Sequence, residues 1–232
     1  MAHLAHYKEA HPLPFAVTHW VNLVGIILLI ITGFMIHTGL PGHFMGVARG
    51  IHVFCGIVIG INLIVRIVLA FKVKSAPTGG TRELVPDYKM WLPQADNKHQ
   101  GGAWIKYYFF AKKDHPLSAK YGVPQKITYL LIPIFIIIMV LTGLALWGPL
   151  QGSAYATAIT SAVGGAMSLR IIHYFGMFLF IIFLMIHLYL VFIEGTDSAK
   201  LMLFQKESGG LVYDPEKHVI IGEDRMGGDE KA

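Results

Sequence analysis

The stretch IIHYFGMFLFIIFLMIHLYLVFI, residues 171–193, decides the fold of this chain. It contains no Asp, Glu, Lys or Arg, but it carries one histidine near each end, His173 and His187. A helix rises about 1.5 Å per residue, so a helix of this length crosses the roughly 30 Å hydrocarbon core of a bilayer. The stretch therefore predicts a transmembrane helix with imidazoles at two depths.

Three other stretches are similarly apolar, at residues 15–37, 51–71 and 127–147. Only 14% of the whole chain is charged, against about 25% in soluble domains. A soluble globule and a disordered chain are both excluded. The sequence predicts an all-α integral membrane protein, a four-transmembrane-helix bundle within residues 1–195, followed by a polar tail at 196–232.

Basic residues indicate the orientation of the bundle. Of the 19 Lys and Arg, 16 lie in the N-terminal segment, the loop 72–126 and the tail, and only two in the other connections. Since cytoplasmic loops are enriched in Lys and Arg, both termini and the loop 72–126 are predicted to be cytoplasmic. The net charge of +5 thus fits the inner (cytoplasmic) membrane and its lipid, and no nucleic-acid partner is expected.

Four histidines lie well inside the spans, which hold no carboxylate. His173 and His187 are 14 residues apart, close to four helical turns, and so share a helix face about 21 Å apart. His19 in the first span stands at the cytoplasmic level of His187, and His52 in the second at the outer level of His173. Neutral imidazoles without acids suit haem iron. We therefore expect two bis-histidine haem sites, although any one of these histidines alone is more typical of helix–helix hydrogen bonding than of a metal ligand.

Other basic side chains lie near these levels. His37 is about 27 Å along the helix from His19, and we expect either an exposed helix-end residue or a contact to a haem propionate. Arg49 and Arg170 each precede an outer histidine by three residues, as propionate partners or interfacial anchors. Arg66, in the cytoplasmic half of the second span, is a candidate for the inner propionates.

A weak internal repeat relates the two halves of the chain. LIITG at residues 29–33 recurs as MVLTG at 139–143, and RGIH at 49–52 recurs as RIIH at 170–173. The repeat predicts two helix pairs related by pseudo-symmetry, which is common in membrane bundles.

The motifs resemble those of a known family. His19-Trp20 with Asn22, Thr32-Gly33, the two Arg-x-x-His motifs and His187-x-Tyr189 look like the di-haem cytochrome b (gamma) subunit of membrane-bound formate dehydrogenases and nickel–iron hydrogenases, including thiosulfate reductase-like relatives. The resemblance covers about residues 12–195.

The resemblance implies a function in electron transfer. Such subunits pass electrons from an iron–sulfur subunit and its catalytic oxidoreductase subunit through two haems b to a membrane quinone, menaquinone or ubiquinone. The inner haem would use His19 and His187, and the outer haem His52 and His173. The chain has no recognisable dehydrogenase site of its own, and its single cysteine, Cys55, excludes a cysteine-ligated iron–sulfur cluster.

The resemblance also implies a quinone site in the stretch KYGVPQK, residues 120–126, beside the inner haem. Members of the family often carry Asn at the position of Gly122. Tyr121, Gln125 and Lys126 are the candidates to replace that contact, and each is equally suited to anchor the chain at the interface.

Two alternatives remain. A stand-alone transmembrane reductase of the cytochrome b561 kind would use the same haem sites but a soluble electron donor. A haem-free metal transporter would use the histidines directly, although the lack of carboxylates in the spans argues against it.

Overall fold

Four long helices dominate the structure, a computed structural model that describes residues 4–39, 41–80, 82–92, 100–113, 116, 120–214, 217 and 219–225. All four are long and apolar enough to cross a membrane, which confirms the prediction of a four-span helical membrane protein. They are α1 (Leu13–Thr38), α2 (His43–Lys72), α5 (Val123–Leu146) and α7 (Ala166–Glu194).

The second helix begins earlier than hydropathy predicts. The predicted span starts at residue 51, whereas α2 starts at His43. The intervening HFMGVARG is too polar and glycine-rich to be recognised by apolar content. Its backbone nevertheless belongs to the hydrogen-bonded helix, so the connection between α1 and α2 is shorter than expected.

The chain forms two compact units. The first, here called the helical unit, comprises Thr18–Val65 and Leu131–Leu188. Its core is a cluster of fully apolar side chains from three of the long helices: Ile59, Leu63, Ile136 and Phe180. Many other large apolar side chains on these helices are exposed, as expected where lipid rather than water surrounds the helices.

A short helix in the helical unit precedes α7. This helix, α6 (Ala154–Ala162), is capped by Ser153, whose hydroxyl accepts a hydrogen bond from the Ala156 amide. Ala156 packs with Ala145 and Leu169 in a second small apolar cluster.

The second unit, here called the polar unit, comprises Met1–Val17, Arg66–Leu130 and Tyr189–Ala232. It adds short elements that the sequence analysis did not predict. The helices are α3 (Asp87–Trp91), α4 (Gly101–Tyr108) and α8 (Asp197–Phe204), and the antiparallel strand pairs are β1 (Lys74–Ser75) with β2 (Val85–Pro86) and β3 (Gly210–Asp214) with β4 (Val219–Asp224).

The predicted polar tail is thus partly ordered into a helix and a hairpin, and its residues 226–232 lie outside the described residues. The N-terminal segment joins the hairpin, since Leu4 bridges Leu211 in parallel and the Tyr7 hydroxyl donates to Asp224 at 2.7 Å.

Candidate functional site

Two pairs of histidine rings come together in the helical unit. The ring centroids of His52 in α2 and His173 in α7 are 6.1 Å apart, with an angle of 69° between the ring planes. Those of His19 in α1 and His187 in α7 are 6.0 Å apart, at 50°. Each pair therefore bridges two helices, and along α7 the pairs are separated by about 21 Å.

The separation of the rings fits one metal atom between them. A metal–imidazole nitrogen bond is about 2 Å long. The distance from that nitrogen to its ring centre adds about 1.1 Å on each side, so two imidazoles on one metal have centroids about 6 Å apart. Both pairs match this value.

The number of donors distinguishes haem iron from a bare ion. Within the part of the chain that the structure describes, no group of three or more His, Cys, Asp or Glu side chains is placed to hold a metal ion. A bare transition metal needs about four ligands, whereas haem iron needs only axial ligands from the protein. The two-imidazole donor sets therefore fit haem.

Threonine hydroxyls contact both histidines of the His52–His173 pair. Thr32 Oγ1 lies 2.9 Å from His52 Nδ1, and Thr142 Oγ1 lies 2.8 Å from His173 Nδ1. These two threonines are the equivalent positions of the LIITG and MVLTG repeat. The sequence repeat thus corresponds to a repeated contact in space.

The glycine after each threonine also lies beside a histidine ring. A Cβ atom on Gly143 would be 3.0 Å from His173 Cε1, and one on Gly33 would be 3.6 Å from His52 Cε1. The first distance is tighter than ordinary van der Waals contact. The absence of a side chain at Gly143 therefore sets the room available to the His173 ring.

The His19–His187 pair has aromatic neighbours. The ring of Phe183 stacks on His187 with centroids 5.8 Å apart, and Trp20 meets the His19 ring edge-on at 5.2 Å. Within the described residues, His19 Nδ1 is buried and has no hydrogen-bond partner. His19 therefore differs from His52 and His173 in its polar contacts.

A buried amide links α1 to α2 near His19. The Asn62 side chain donates hydrogen bonds of 2.7 Å to the Thr18 carbonyl and to Asn22 Oδ1. Such a polar contact between membrane helices fixes their relative rotation. Asn22 was part of the sequence motif around His19, and its role in the structure is this interhelical bond.

Three of the predicted propionate contacts are exposed. His37 is exposed near the end of α1 and stacks on Tyr174 with ring centroids 4.0 Å apart. Arg49 in α2 and Arg170 in α7 are exposed too. Exposure leaves their guanidinium groups accessible to a propionate or to lipid headgroups, and their role stays a prediction.

Arg66 belongs to a buried charge cluster in the polar unit. Its Nη2 donates to Asp87 Oδ2 at 2.9 Å, and Lys120 Nζ donates to Asp87 Oδ1 at 2.7 Å. Ser75 Oγ also donates to Asp87, at 2.8 Å. The side chains of Asp87 and Lys120 are 0% exposed, so this carboxylate holds two cations in a dry environment.

The two cations determine the charge state of the carboxyl. Burial raises the pKa of Asp87, but Lys120 and Arg66 together hold that pKa below its usual value. Arg66 Nη1 is buried and has no hydrogen-bond partner among the described residues. The sequence analysis assigned Arg66 to an inner-haem propionate, which stays a prediction, and it missed Asp87 because a single acid in a polar loop gives no local signal.

Two of the predicted quinone contacts already have protein partners. Tyr121 is buried, and its hydroxyl oxygen accepts a hydrogen bond from the Tyr129 hydroxyl at 3.2 Å. Burial raises the pKa of Tyr121 well above its usual value, so the phenol stays protonated. Lys126 Nζ donates to the Leu92 carbonyl at 2.7 Å.

The third predicted contact, Gln125, is one of two side chains that donate hydrogen bonds to Glu194. Its Nε2 donates to Glu194 Oε2 at 3.1 Å, and its Oε1 accepts from the Gly122 amide at 2.9 Å. The Tyr108 hydroxyl donates to the same carboxylate. A Cβ on Gly122 would lie 2.8 Å from Trp104 Cζ2, so the indole occupies the space that a side chain there would need.

The family model described as prokaryotic cytochrome b561 matches residues 10–204. The chain belongs to this family. Together with the four membrane-capable helices, membership makes the chain an integral-membrane b-type cytochrome of electron transport. The match includes all four paired histidines of the cytochrome.

Several curated proteins resemble this b-type cytochrome, and each is named a probable Ni/Fe-hydrogenase B-type cytochrome subunit. The protein from Rhizobium leguminosarum bv. viciae is 25% identical over 222 residues, covering 86% of this chain and 87% of its own length. That from Rhodobacter capsulatus is 25% identical, covering 88% and 81%. That from Azotobacter chroococcum mcd 1 is 27% identical, covering 88% of each.

Proposed function

We propose that the chain is the membrane-anchor cytochrome b subunit of a hydrogenase-type respiratory complex, passing electrons from an iron–sulfur partner subunit through two b-type haems to membrane quinone. The observation that supports this proposal best is the presence of two histidine pairs. The two ring centroids are 6.1 Å apart in one pair and 6.0 Å apart in the other. The names of the similar proteins support the association with a hydrogenase catalytic subunit.

The histidines have assigned roles in this proposal. His52 and His173 are the axial ligands of the outer haem, and His19 and His187 those of the inner haem. Haem held by these imidazoles would supply one-electron redox chemistry. The apolar core around Ile59 and Phe180 excludes water from the interior between these ligands.

Charged side chains complete the proposed sites. Arg49 and Arg170 pair with outer-haem propionates and Arg66 with those of the inner haem, since guanidinium–carboxylate pairs form strong hydrogen bonds. Tyr121, Gln125 and Lys126 are the proposed quinone contacts. With both termini cytoplasmic in the inner membrane, outer donor oxidation and inner quinone reduction would separate charge across the bilayer.

The first experiment counts the haems. Purified chain, quantified by amino-acid analysis, is examined by a dithionite-reduced minus oxidised spectrum and by a pyridine haemochrome assay. We expect a b-type spectrum and two haems per chain. A colourless preparation, or one haem per chain after full cofactor loading, would refute the di-haem proposal.

A second experiment distinguishes the two kinds of cytochrome. The family description alone also suits a stand-alone reductase of the cytochrome b561 kind. We expect the chain, gently solubilised from its native membrane, to co-purify with an iron–sulfur subunit and a hydrogenase catalytic subunit. Recovery of the chain alone, reducing an acceptor from a small soluble donor, would support the reductase instead.

A substitution at Gly143 tests the space beside the outer ligand. In Gly143→Ala the added methyl group meets His173 Cε1 at 3.0 Å and displaces the ring. Overpacking of this kind costs about 1–3 kcal/mol, so we expect weaker retention of one haem, measured by haemochrome assay after dilution. Gly56→Ala is the matched control on α2, since its new Cβ would meet nothing within 4 Å. Equal haem retention in the two variants would show that the ring is not confined by Gly143.

A further inference from the structure

We propose that Thr32 and Thr142 are positioning residues of the outer haem site, which hold His52 and His173 with the Nδ1 nitrogen protonated and the Nε2 lone pair available to iron. The inference rests on the proposed di-haem function and deepens it. It also makes the two haem sites chemically inequivalent.

The direction of the hydrogen bonds follows from the backbone contacts of the threonines. Thr32 Oγ1 donates to the Leu28 carbonyl at 2.6 Å, and Thr142 Oγ1 donates to the Ile138 carbonyl at 2.7 Å. A hydroxyl has one proton to donate but two lone pairs. Because the proton is engaged by the carbonyl, the oxygen can only accept from the histidine.

The histidine must then be the donor. His52 Nδ1 is 2.9 Å from its threonine oxygen and His173 Nδ1 is 2.8 Å from its own. In a neutral imidazole, a proton on Nδ1 leaves Nε2 as the unprotonated nitrogen. Nε2 is therefore the atom that each ring offers to a metal, and the threonine fixes the rotation of the ring around it.

A threonine that only bonds to its own helix does not account for the contact. Ser and Thr in membrane helices commonly bond to the carbonyl four residues earlier, and Thr38 does so at 3.0 Å. Thr32 and Thr142 make this bond and a second one to a histidine on another helix. The two histidine contacts join residues 20 and 31 positions apart, so the same arrangement arises from different chain spacings.

Burial adds to the cost of losing the contact. Thr32 is 4% exposed and Thr142 is 6% exposed, so no bulk water replaces the threonine oxygen. A buried N–H without an acceptor costs about 1–3 kcal/mol. At His173, removing the hydroxyl therefore favours rotation or tautomeric change of the ring, whereas His52 also lies within hydrogen-bond reach of the Leu29 carbonyl.

The inner pair does not have this arrangement at His19. Its Nδ1 is buried and has no hydrogen-bond partner among the described residues. A hydrogen bond from Nδ1 increases electron donation by the ligating imidazole, which stabilises ferric over ferrous iron. The threonines therefore lower the midpoint potential of the outer haem selectively.

The test compares Thr142→Val with Thr142→Ser in the full chain, in complex with its partners where these co-purify. Valine keeps the size but removes the acceptor, whereas serine keeps the hydroxyl. We expect valine to raise the midpoint potential of one haem and to shift its low-spin ferric electron paramagnetic resonance signal, with serine close to wild type. A tenfold decrease in the ratio of ferric to ferrous haem at a fixed potential corresponds to a rise of about 59 mV in the midpoint potential.

Further variants separate this role from a structural one. Thr32→Val should affect the same haem through the opposite ligand, and Thr38→Val, which removes only a bond within its own helix, should affect neither haem. Equal potentials and signals in the valine and serine variants at position 142, or equal shifts of both haems, would overturn the inference. Wild-type protein with fewer than two haems would instead refute the proposed function.

Discussion

We expect that replacing His187 by alanine removes the proposed inner haem and leaves the outer haem in place. Within the described residues, His187 supplies one of the two imidazoles of the proposed inner site. Without it, His19 would be the one remaining imidazole ligand there. The outer pair lies about 21 Å away along α7, so the outer haem remains. We expect the haemochrome assay to fall from two haems per chain to one.

Quinone reduction should stop in the same variant. Electrons that enter at the outer site would have no inner site through which to reach quinone. Activity is measured in the complex with its partner subunits, using the physiological donor and a soluble quinone. His173→Ala is the complementary variant, and it should remove the outer haem and leave the inner one.

His37→Ala is the matched control for this prediction. His37 is exposed and stacks on Tyr174 without belonging to either pair, so the variant should keep two haems and full activity. A His187→Ala protein with both haems and undiminished quinone reduction would show that the pairing is wrong.

Replacing Asp87 by asparagine should strongly destabilise the polar unit. Asparagine leaves two cations, Lys120 and Arg66, without the carboxylate that they share. Breaking a buried ion pair by removal of one partner costs about 3–5 kcal/mol. Burial already lowers the pKa of Lys120 to about 8, so loss of a proton from Lys120 offsets part of this cost.

Thermal unfolding in detergent, followed by circular dichroism, measures the loss. Lys200→Gln is the control, since it breaks an exposed pair with Asp197 that contributes at most about 1 kcal/mol. A double variant, Asp87→Asn with Lys120→Met, should recover part of the stability because it removes a buried unpaired cation. If Asp87→Asn is no less stable than Lys200→Gln, the cluster does not stabilise the fold.

The effect of Asp87 also depends on pH in a defined direction. Its folded-state pKa is lowered, so its stabilising contribution is complete above the unfolded value of about 3.9 and disappears as pH falls through the folded value. The difference between wild type and Asp87→Asn should therefore decrease in strong acid, and it should also decrease as rising pH removes the proton of Lys120 in the variant. A difference that is largest in acid would contradict this assignment.

The positions of the long helices were predictable because a membrane imposes a local requirement. About 20 consecutive apolar residues are needed to cross it, and each predicted span coincides with one observed helix. The start of α2 was not predictable in this way, because HFMGVARG forms helix without being apolar. The position of each histidine along its helix followed from helical rise alone.

The polar contacts were less predictable because they join distant residues. Asp87 binds Lys120 across 33 positions and Tyr108 binds Glu194 across 86. No spacing rule relates such residues, and Glu194 lies one residue beyond the predicted fourth span. The family resemblance pointed to the stretch 120–126 but did not reveal that Trp104 packs against Gly122.

The sequence by itself determined four membrane helices, the two levels of histidine and the repeated Thr-Gly motif. Hydropathy and the rise of a helix are properties of each segment alone, and backbone hydrogen bonding fixes them wherever the segment packs. Only the tertiary structure decided that the rings in each pair lie about 6 Å apart and that Thr32 and Thr142 contact His52 and His173. These distances depend on which helices are neighbours and how each is rotated about its axis, and close packing of side chains from several segments sets both.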